Sequence, residues 1–306
     1  MSLLHKKLNK LSKEERIQYQ KQMLNYYGNL SNQLKYYKIK GLLHPFIVSC
    51  LKLYPVKIVK LNNFSWPEDK GPVIFSANHS NSNDFPTISR LIKKHFFIMA
   101  DYTMINDHLV NTLNKLNGCV YVDRLSKKSG QNAYRECVEG VKKGYNMLLF
   151  PEGTWNLLDR EPMLPRRWGD IKIAQETNRP IQPIALAYSN NMCFVKFGKL
   201  RYVNKNDDIK KIDQEIFEEM CQLRQDIWEN DLFKNNDDQK TYEQWLKDTI
   251  NSYKYFDVEY EMSVIRKDND YLKDQFDYIL KTGEEMRPVQ KIEKRLVKSK
   301  VNYRLK

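Results

Sequence analysis

The chain has 306 residues, of which 41% are hydrophobic and 29% charged, and a formal net charge of +13. That length and apolar content suit one large folded domain with appendages, and the lack of low-complexity tracts excludes a disordered chain. Five cysteines, odd in number and far apart, exclude a disulfide framework and a zinc site and suit a reducing cytosol.

The charge is unevenly placed. Between Met1 and Lys60, twelve basic residues stand against Glu14 and Glu15, a local net charge of +10. A second basic tail runs from Arg287 to Lys306. Such blocks point to an anionic partner, either nucleic acid or an anionic membrane face; a solvated basic surface is an equal reading for the C-terminal tail. Met1 to Lys13 holds no apolar core of a signal peptide, and no run of 18 apolar residues exists, so no spanning helix is expected.

Ser12-Lys13-Glu14-Glu15 is a capping box that opens a helix near Lys13, interrupted at Gly28-Asn29. A second amphipathic segment, from Ser31 through Leu53, mixes aromatic and aliphatic bulk with Lys35, Lys38, Lys40 and Lys52. That composition fits a helix lying in a membrane interface, or one packed on its own domain. From Val56 the rhythm alternates. Strands are expected at Val56–Leu61, Val73–Ser76, Phe96–Ala100, Cys119–Val122, Met147–Phe150, Ile181–Ala187 and Cys193–Phe197. Helices are expected at Phe85–Lys94, Asn106–Leu116, Ser129–Lys143 and Trp168–Thr177. This alternation predicts an α/β fold with a largely parallel central sheet flanked by helices. Beyond Leu200, amphipathic helices are expected at Asp207–Trp228, Tyr242–Tyr253 and Asp268–Lys281, with a polar linker at Asn230–Gln239.

Two strand ends carry candidate chemistry. The run Pro72-Val73-Ile74-Phe75 empties into Ser76-Ala77-Asn78-His79-Ser80-Asn81-Ser82-Asn83-Asp84. A neutral imidazole can take a proton from a hydroxyl near pH 7, and a carboxylate can fix its tautomer and balance its charge, so His79 and Asp84 form a candidate base and orienter. Met147-Leu148-Leu149 empties into Phe150-Pro151-Glu152-Gly153-Thr154-Trp155. Glu152 offers a carboxylate, Thr154 a hydroxyl, and Gly153 a close approach to the backbone. Adjacent strands would set this loop beside His79. Arg124, ending Gly118-Cys119-Val120-Tyr121-Val122-Asp123-Arg124, has the fork that suits phosphate, and Arg166 and Arg167 form a second basic spot before a helix.

In order and spacing these blocks resemble those of the glycerolipid acyltransferase family, which includes the 1-acylglycerol-3-phosphate acyltransferases. Asn78-His79-x4-Asp84 matches the first block, Val120 to Arg124 the second, Phe150 to Thr154 the third, and Arg179-Pro180-Ile181-Gln182-Pro183-Ile184 the fourth. The resemblance covers about Val56 to Phe197. Trp155 departs from it, because the family has an Arg there that helps hold the acceptor's phosphate. Glu-Gly-Thr-Trp-Asn before Leu-Pro-x-x-Trp-Gly looks like a bacterial branch of the family.

The resemblance implies transfer of a fatty acyl chain from acyl-CoA or acyl carrier protein to a hydroxyl of a lysophospholipid, with His79 as general base, Asp84 as its orienter and no acyl-enzyme. Glu152, Gly153, Thr154 and Trp155 then face the acceptor, with Arg124, Arg166 and Arg167 for its phosphate; no metal and no cofactor are expected. Trp155 is equally readable as core. The missing Arg keeps a cell-surface glycan or glycolipid open as acceptor. A nucleic-acid-binding protein using the Lys-rich ends is the reading of another class, against which no recognised nucleic-acid module is present. The expected organisation is a basic, membrane-associating helical segment at 1–55, a catalytic domain at 56–200 and a charged helical extension at 201–306. The expected place is the cytoplasm, peripheral on the inner face of the cell membrane.

Overall fold

A computed structural model describes residues 37–51, 55–106, 116–158, 161–236 and 241–251, with scattered single residues besides. The chain divides into two compact units, one of Met1–Asn156 with Pro162–Asp238, the other of Leu157–Glu161 with Gln239–Lys306.

The first unit is built on strands β1 (Lys57–Lys60), β2 (Ile74–Ala77), β3 (Phe96–Asp101), β4 (Cys119–Val122), β5 (Asn146–Leu149), β6 (Ile181–Ser189) and β7 (Met192–Phe197). They form one sheet in the order β1-β7-β6-β2-β5-β3-β4. Every pairing is parallel except β6 with β7. Strands β2, β4 and β5 are buried along their whole length. That is why they read as continuous apolar runs: a parallel sheet is covered on both faces. The exception, the β6–β7 pair, is a tight hairpin through Asn190, whose φ of +52° suits Asn better than most side chains.

Helices α1 (Tyr37–Leu51) and α2 (Asp84–Leu91) cover one face, and α3 (Lys127–Lys142), α4 (Gly169–Thr177) and α5 (Ile209–Trp228) the other. Alternate strand residues divide between the faces. Ile74, Phe97 and Val120 point into the core under α3, α4 and α5. Phe75 packs edge-on against Phe64 and Trp66, and Phe96 against Phe85 of α2 and His44 of α1, on the opposite face.

Helix α5 packs on β6 and β7 and buries Ile216, Phe217, Met220, Leu223 and Ile227. It lies in the first unit, although the sequence groups it with the extension beyond residue 200. The segment expected to be a plain linker holds a short helix, α6 (Asp231–Lys234), capped by Asn230. In the second unit the described helix is α7 (Tyr242–Asn251). Residues 102–106 form a 3-10 turn where the expected Asn106–Leu116 helix begins; residues 112, 114, 116 and 117 are helical, and the rest of that stretch lies outside the described residues. So do the expected helix at 268–281, the basic C-terminal tail, and most of 13–27. The capping box is formed: Ser12 N–H donates to Glu15 and Glu15 N–H to Ser12 Oγ, at 2.8 and 3.2 Å.

Candidate active site

The five strands β6, β2, β5, β3 and β4 run in one direction, so their carboxyl ends share one edge of the sheet. His79 follows β2, residues 150–155 follow β5, Asp101 ends β3, and Arg124 follows β4. β2 leads to α2 on one face and β5 to α4 on the other, so the two loops diverge where open α/β sheets hold their ligands. Pairing of Ser76 with Leu149 brings the His79 loop and the Glu152 loop side by side.

Asp84 is fully buried and gathers three donors on one oxygen: His79 Nδ1–H at 2.7 Å, Ser80 N–H at 2.6 Å and Asn81 N–H at 3.0 Å. A carboxylate only accepts, so this contact assigns the proton to Nδ1 and leaves Nε2 as the basic nitrogen. The imidazole is 20% exposed at its side chain, stacks on Phe150 with centroids 4.1 Å apart, and meets Trp155 edge-on at 5.9 Å. Its main chain is equally fixed. Glu152 accepts the His79 N–H at 2.6 Å, and the His79 carbonyl accepts from Asn156 N–H at 2.7 Å. Asn78, buried beside it, brackets the main chain of Leu186 on β6, accepting from its N–H at 2.6 Å and donating to its carbonyl at 3.1 Å. From the same strand Tyr188 faces Asp84 and Thr87, and burial beside that carboxylate pushes its phenol well up.

Glu152 is 4% exposed, and its second oxygen accepts from Leu164 N–H at 2.6 Å. Burial pushes its carboxyl up to about 8, against the two N–H donors and the positive charge of Arg224, which favour the charged form. Gly153 has φ of +74°, and a Cβ there would meet Arg167 Nε at 2.7 Å. Arg124 donates to the Gly153 carbonyl and, at 2.6 Å, to Asp101. Two guanidinium groups therefore meet at Gly153. Thr154 and Trp155 are both buried, at 4% exposure each.

Arg166 is elsewhere. Its side chain has no exposed surface; it pairs with Asp170, which also accepts from Ser76 Oγ at 2.7 Å, and lies 3.7 Å from Asp213 of α5. That network fastens α4 and α5 to β2. The structure thus gathers His79, Asp84, Glu152, Gly153, Thr154, Trp155, Arg124 and Arg167 at one edge, and sets Arg166 inside the protein. Asp101, Phe150 and Asn156 complete the edge without having been expected. Asp101 gives no local signal; it reaches Arg124 because β3 and β4 pair Asp101 with Val122. Among the described residues, no group of three His, Cys, Asp or Glu is placed to hold a metal ion.

Residues 56–187 match the family model described as Acyltransferase. The 1-acyl-sn-glycerol-3-phosphate acyltransferase of Saccharomyces cerevisiae is 26% identical over 144 residues, 47% of this chain and 46% of that protein. The protein of the same name from Borreliella burgdorferi is 28% identical over 152 residues, 48% of this chain and 59% of that protein. The chain thus spans about half the length of the curated relatives it matches. In fold it is similar to the crystal structure of the 1-acyl-sn-glycerophosphate (LPA) acyltransferase PlsC from Thermotoga maritima, with a TM-score of 0.50, 18% identity, and coverage of 65% of this chain and 82% of that one. Over residues 56–187, the chain is thus similar to the acyltransferases in sequence.

Proposed function

We propose that the chain transfers a fatty acyl group from a thioester, acyl-CoA or acyl carrier protein, to the free hydroxyl of a 1-acylglycerol-3-phosphate-like lysophospholipid. The observation that carries this reading is the His79–Asp84 contact of 2.7 Å at the edge where the Glu152 loop and Arg124 also end. His79 Nε2 takes the hydroxyl proton as the oxygen attacks the thioester carbonyl. The tetrahedral intermediate collapses with cleavage of the C–S bond, and the imidazolium returns its proton to the leaving thiolate. Asp84 holds the Nδ1–H tautomer and stabilises the imidazolium. Arg124 and Arg167, which meet at Gly153, take the acceptor's phosphate in place of the Arg that Trp155 replaces. Arg166, buried on Asp170, holds the α4 end of the site together.

The membrane supplies acceptor and receives product, and α1 is suited to lie on it. Its inner side buries His44 and Ile47; its outer side exposes Leu42 at 79%, Leu43 at 42% and Phe46 at 70%. No described helix is long and apolar enough to cross a membrane. With Lys35, Lys38, Lys40 and Lys52 nearby in sequence, this apolar side lies on an anionic surface in the cytoplasm, on the inner face of the cell membrane.

The test is acyl transfer from labelled acyl-CoA and acyl carrier protein to a panel of lysophospholipids and glycolipids, with His79→Ala as control. Activity is expected on the lysophosphatidic acceptor and a loss of about 10²- to 10⁴-fold in the control. Undiminished turnover in His79→Ala would refute the mechanism, and turnover of glycolipids alone would refute the acceptor.

A further inference from the structure

A carboxylate in the polar turn after a strand reads as a ligand for the substrate's head group. We infer that Glu152 has a different role, that of a positioning residue which fixes the main chain of His79 and does not touch the acceptor. This rests on the reading of His79 as the base.

Three observations carry it. Glu152 is turned inward, with 4% of its surface exposed, and each of its oxygens already accepts a backbone N–H at 2.6 Å, one from His79 and one from Leu164. The same turn closes on His79 from the other side, where Asn156 N–H reaches the His79 carbonyl at 2.7 Å. The turn is itself pinned to the segment before α4, because Arg167 N–H donates to the Pro151 carbonyl at 2.8 Å. Glu152 therefore sits at the junction of the β2 loop, the β5 loop and the segment entering α4.

The physical consequence follows from what holds the ring. Asp84 and the face of Phe150 fix the imidazole's rotation, but both act through a side chain whose root is the His79 Cα. If the His79 amide is released, the root shifts and Nε2 moves with it. A displacement of about 1 Å at a base lowers the rate of the step it serves by roughly 100-fold and leaves ground-state binding largely intact. A residue bound to the acceptor behaves in the opposite way: its loss raises KM.

Glu152→Gln tests this in the full-length chain. The amide keeps one acceptor and turns an NH2 toward the other backbone N–H, so it cannot serve both. The expected result is a fall in kcat of about 10- to 100-fold, acceptor KM within about twofold of the parent, and hydrogen exchange at the His79 or Leu164 amide faster by about tenfold. A tenfold rise in acceptor KM with kcat retained would overturn the assignment, because Glu152 would then touch substrate. Unchanged exchange at both amides would overturn it too, as would faster exchange with unchanged kinetics. Should the Gln variant fail to fold, Glu152→Asp, one methylene too short to reach both amides, is measured in the same way with the same expectations. The exchange measurement needs no turnover, so it still decides whether Glu152 holds His79 even if His79→Ala proves fully active and the acyl-transfer reading falls.

Discussion

Asp84→Asn isolates the charge behind His79 with the least change of shape. The parent oxygen collects three donors, from His79, Ser80 and Asn81, at 2.7, 2.6 and 3.0 Å. The asparagine must turn its oxygen to that position, since its NH2 would face three N–H groups. The tautomer of His79 then survives, and what is lost is the charge that stabilises the imidazolium. Opposite unit charges about 4 Å apart attract by about 4 kcal/mol at an effective dielectric of 20. The N–H groups of Ser80 and Asn81 already neutralise part of that charge, so a loss of about 2–4 kcal/mol of transition-state stabilisation is expected, or roughly 30- to 1000-fold in kcat. Steady-state kinetics with the lysophosphatidic acceptor reads it directly, with circular dichroism to verify folding. Acceptor KM is expected to stay put, because Asp84 is fully buried behind the ring. A folded Asp84→Asn variant with kcat within threefold of the parent would refute the role given to the carboxylate.

Asp170→Ala leaves the buried Arg166 guanidinium facing Asp213 at 3.7 Å in place of its close ion pair, and is expected to cost about 3–5 kcal/mol in urea unfolding; a loss under 1 kcal/mol would contradict a buried network. Gly153→Ala places a Cβ 2.7 Å from Arg167 Nε on a backbone at φ +74°, so about 1–2 kcal/mol of strain and a displaced Arg167 are expected. Acceptor KM then rises more than kcat falls, and an unchanged KM would remove Arg167 from the phosphate site. Glu152 makes stability pH-dependent. Its folded value of about 8 stands above its ordinary 4.5, so its protonated form is the one the fold favours. That contribution is complete below about pH 4.5 and is lost as pH rises through about 8, with a slope near 1.4 kcal/mol per pH unit between. Urea unfolding from pH 5 to 8 should show the slope in the parent and a flatter one in Glu152→Gln; parallel curves would refute it.

Most of the strands were legible because they are short apolar runs closed by Gly, Pro or polar residues; β1, Lys57–Lys60, instead has a Lys at each end. Ile74 to Ala77 and Cys119 to Val122 are buried on both faces and so need no alternation to be recognised. His79 and Asp84 were legible as a spacing, since one stands just past the end of β2 and the other is the first residue of α2. What escaped depends on direction. Arg166 and Arg167 are adjacent in sequence, yet one enters the core and the other lies against Gly153. The sign was present in Asp170, four residues on in the first turn of α4, whereas Asp213 stands 47 residues away and gives none. Glu152 reads as a head-group ligand, and sequence does not tell which way a turn points its side chain; in the structure it turns inward, 4% exposed. The apolar spacing of Ile216, Phe217, Met220, Leu223 and Ile227 does reveal that α5 has a face to bury, but not that β6 and β7 receive it.

The two buried carboxylates hold His79 from different directions. Asp84 reaches the ring of His79 from five residues on, so a local spacing suffices to form that contact. Glu152 acts on the main chain of His79 and comes from the neighbouring strand, so it works only while β2 and β5 keep their register, Ile74 on Met147 and Ser76 on Leu149. A slip of that pairing would leave the Asp84 contact intact and break the Glu152 contact. His79 is thus tied to the sheet as well as to its own loop. The same β5 loop carries Gly153 between Arg124 and Arg167, so one strand end sets both the position of His79 and the place of the two guanidinium groups. On the proposed reading, a hydroxyl a few bonds from a phosphate is brought to Nε2 by geometry that the sheet already fixes, which is the condition under which proximity lowers a barrier.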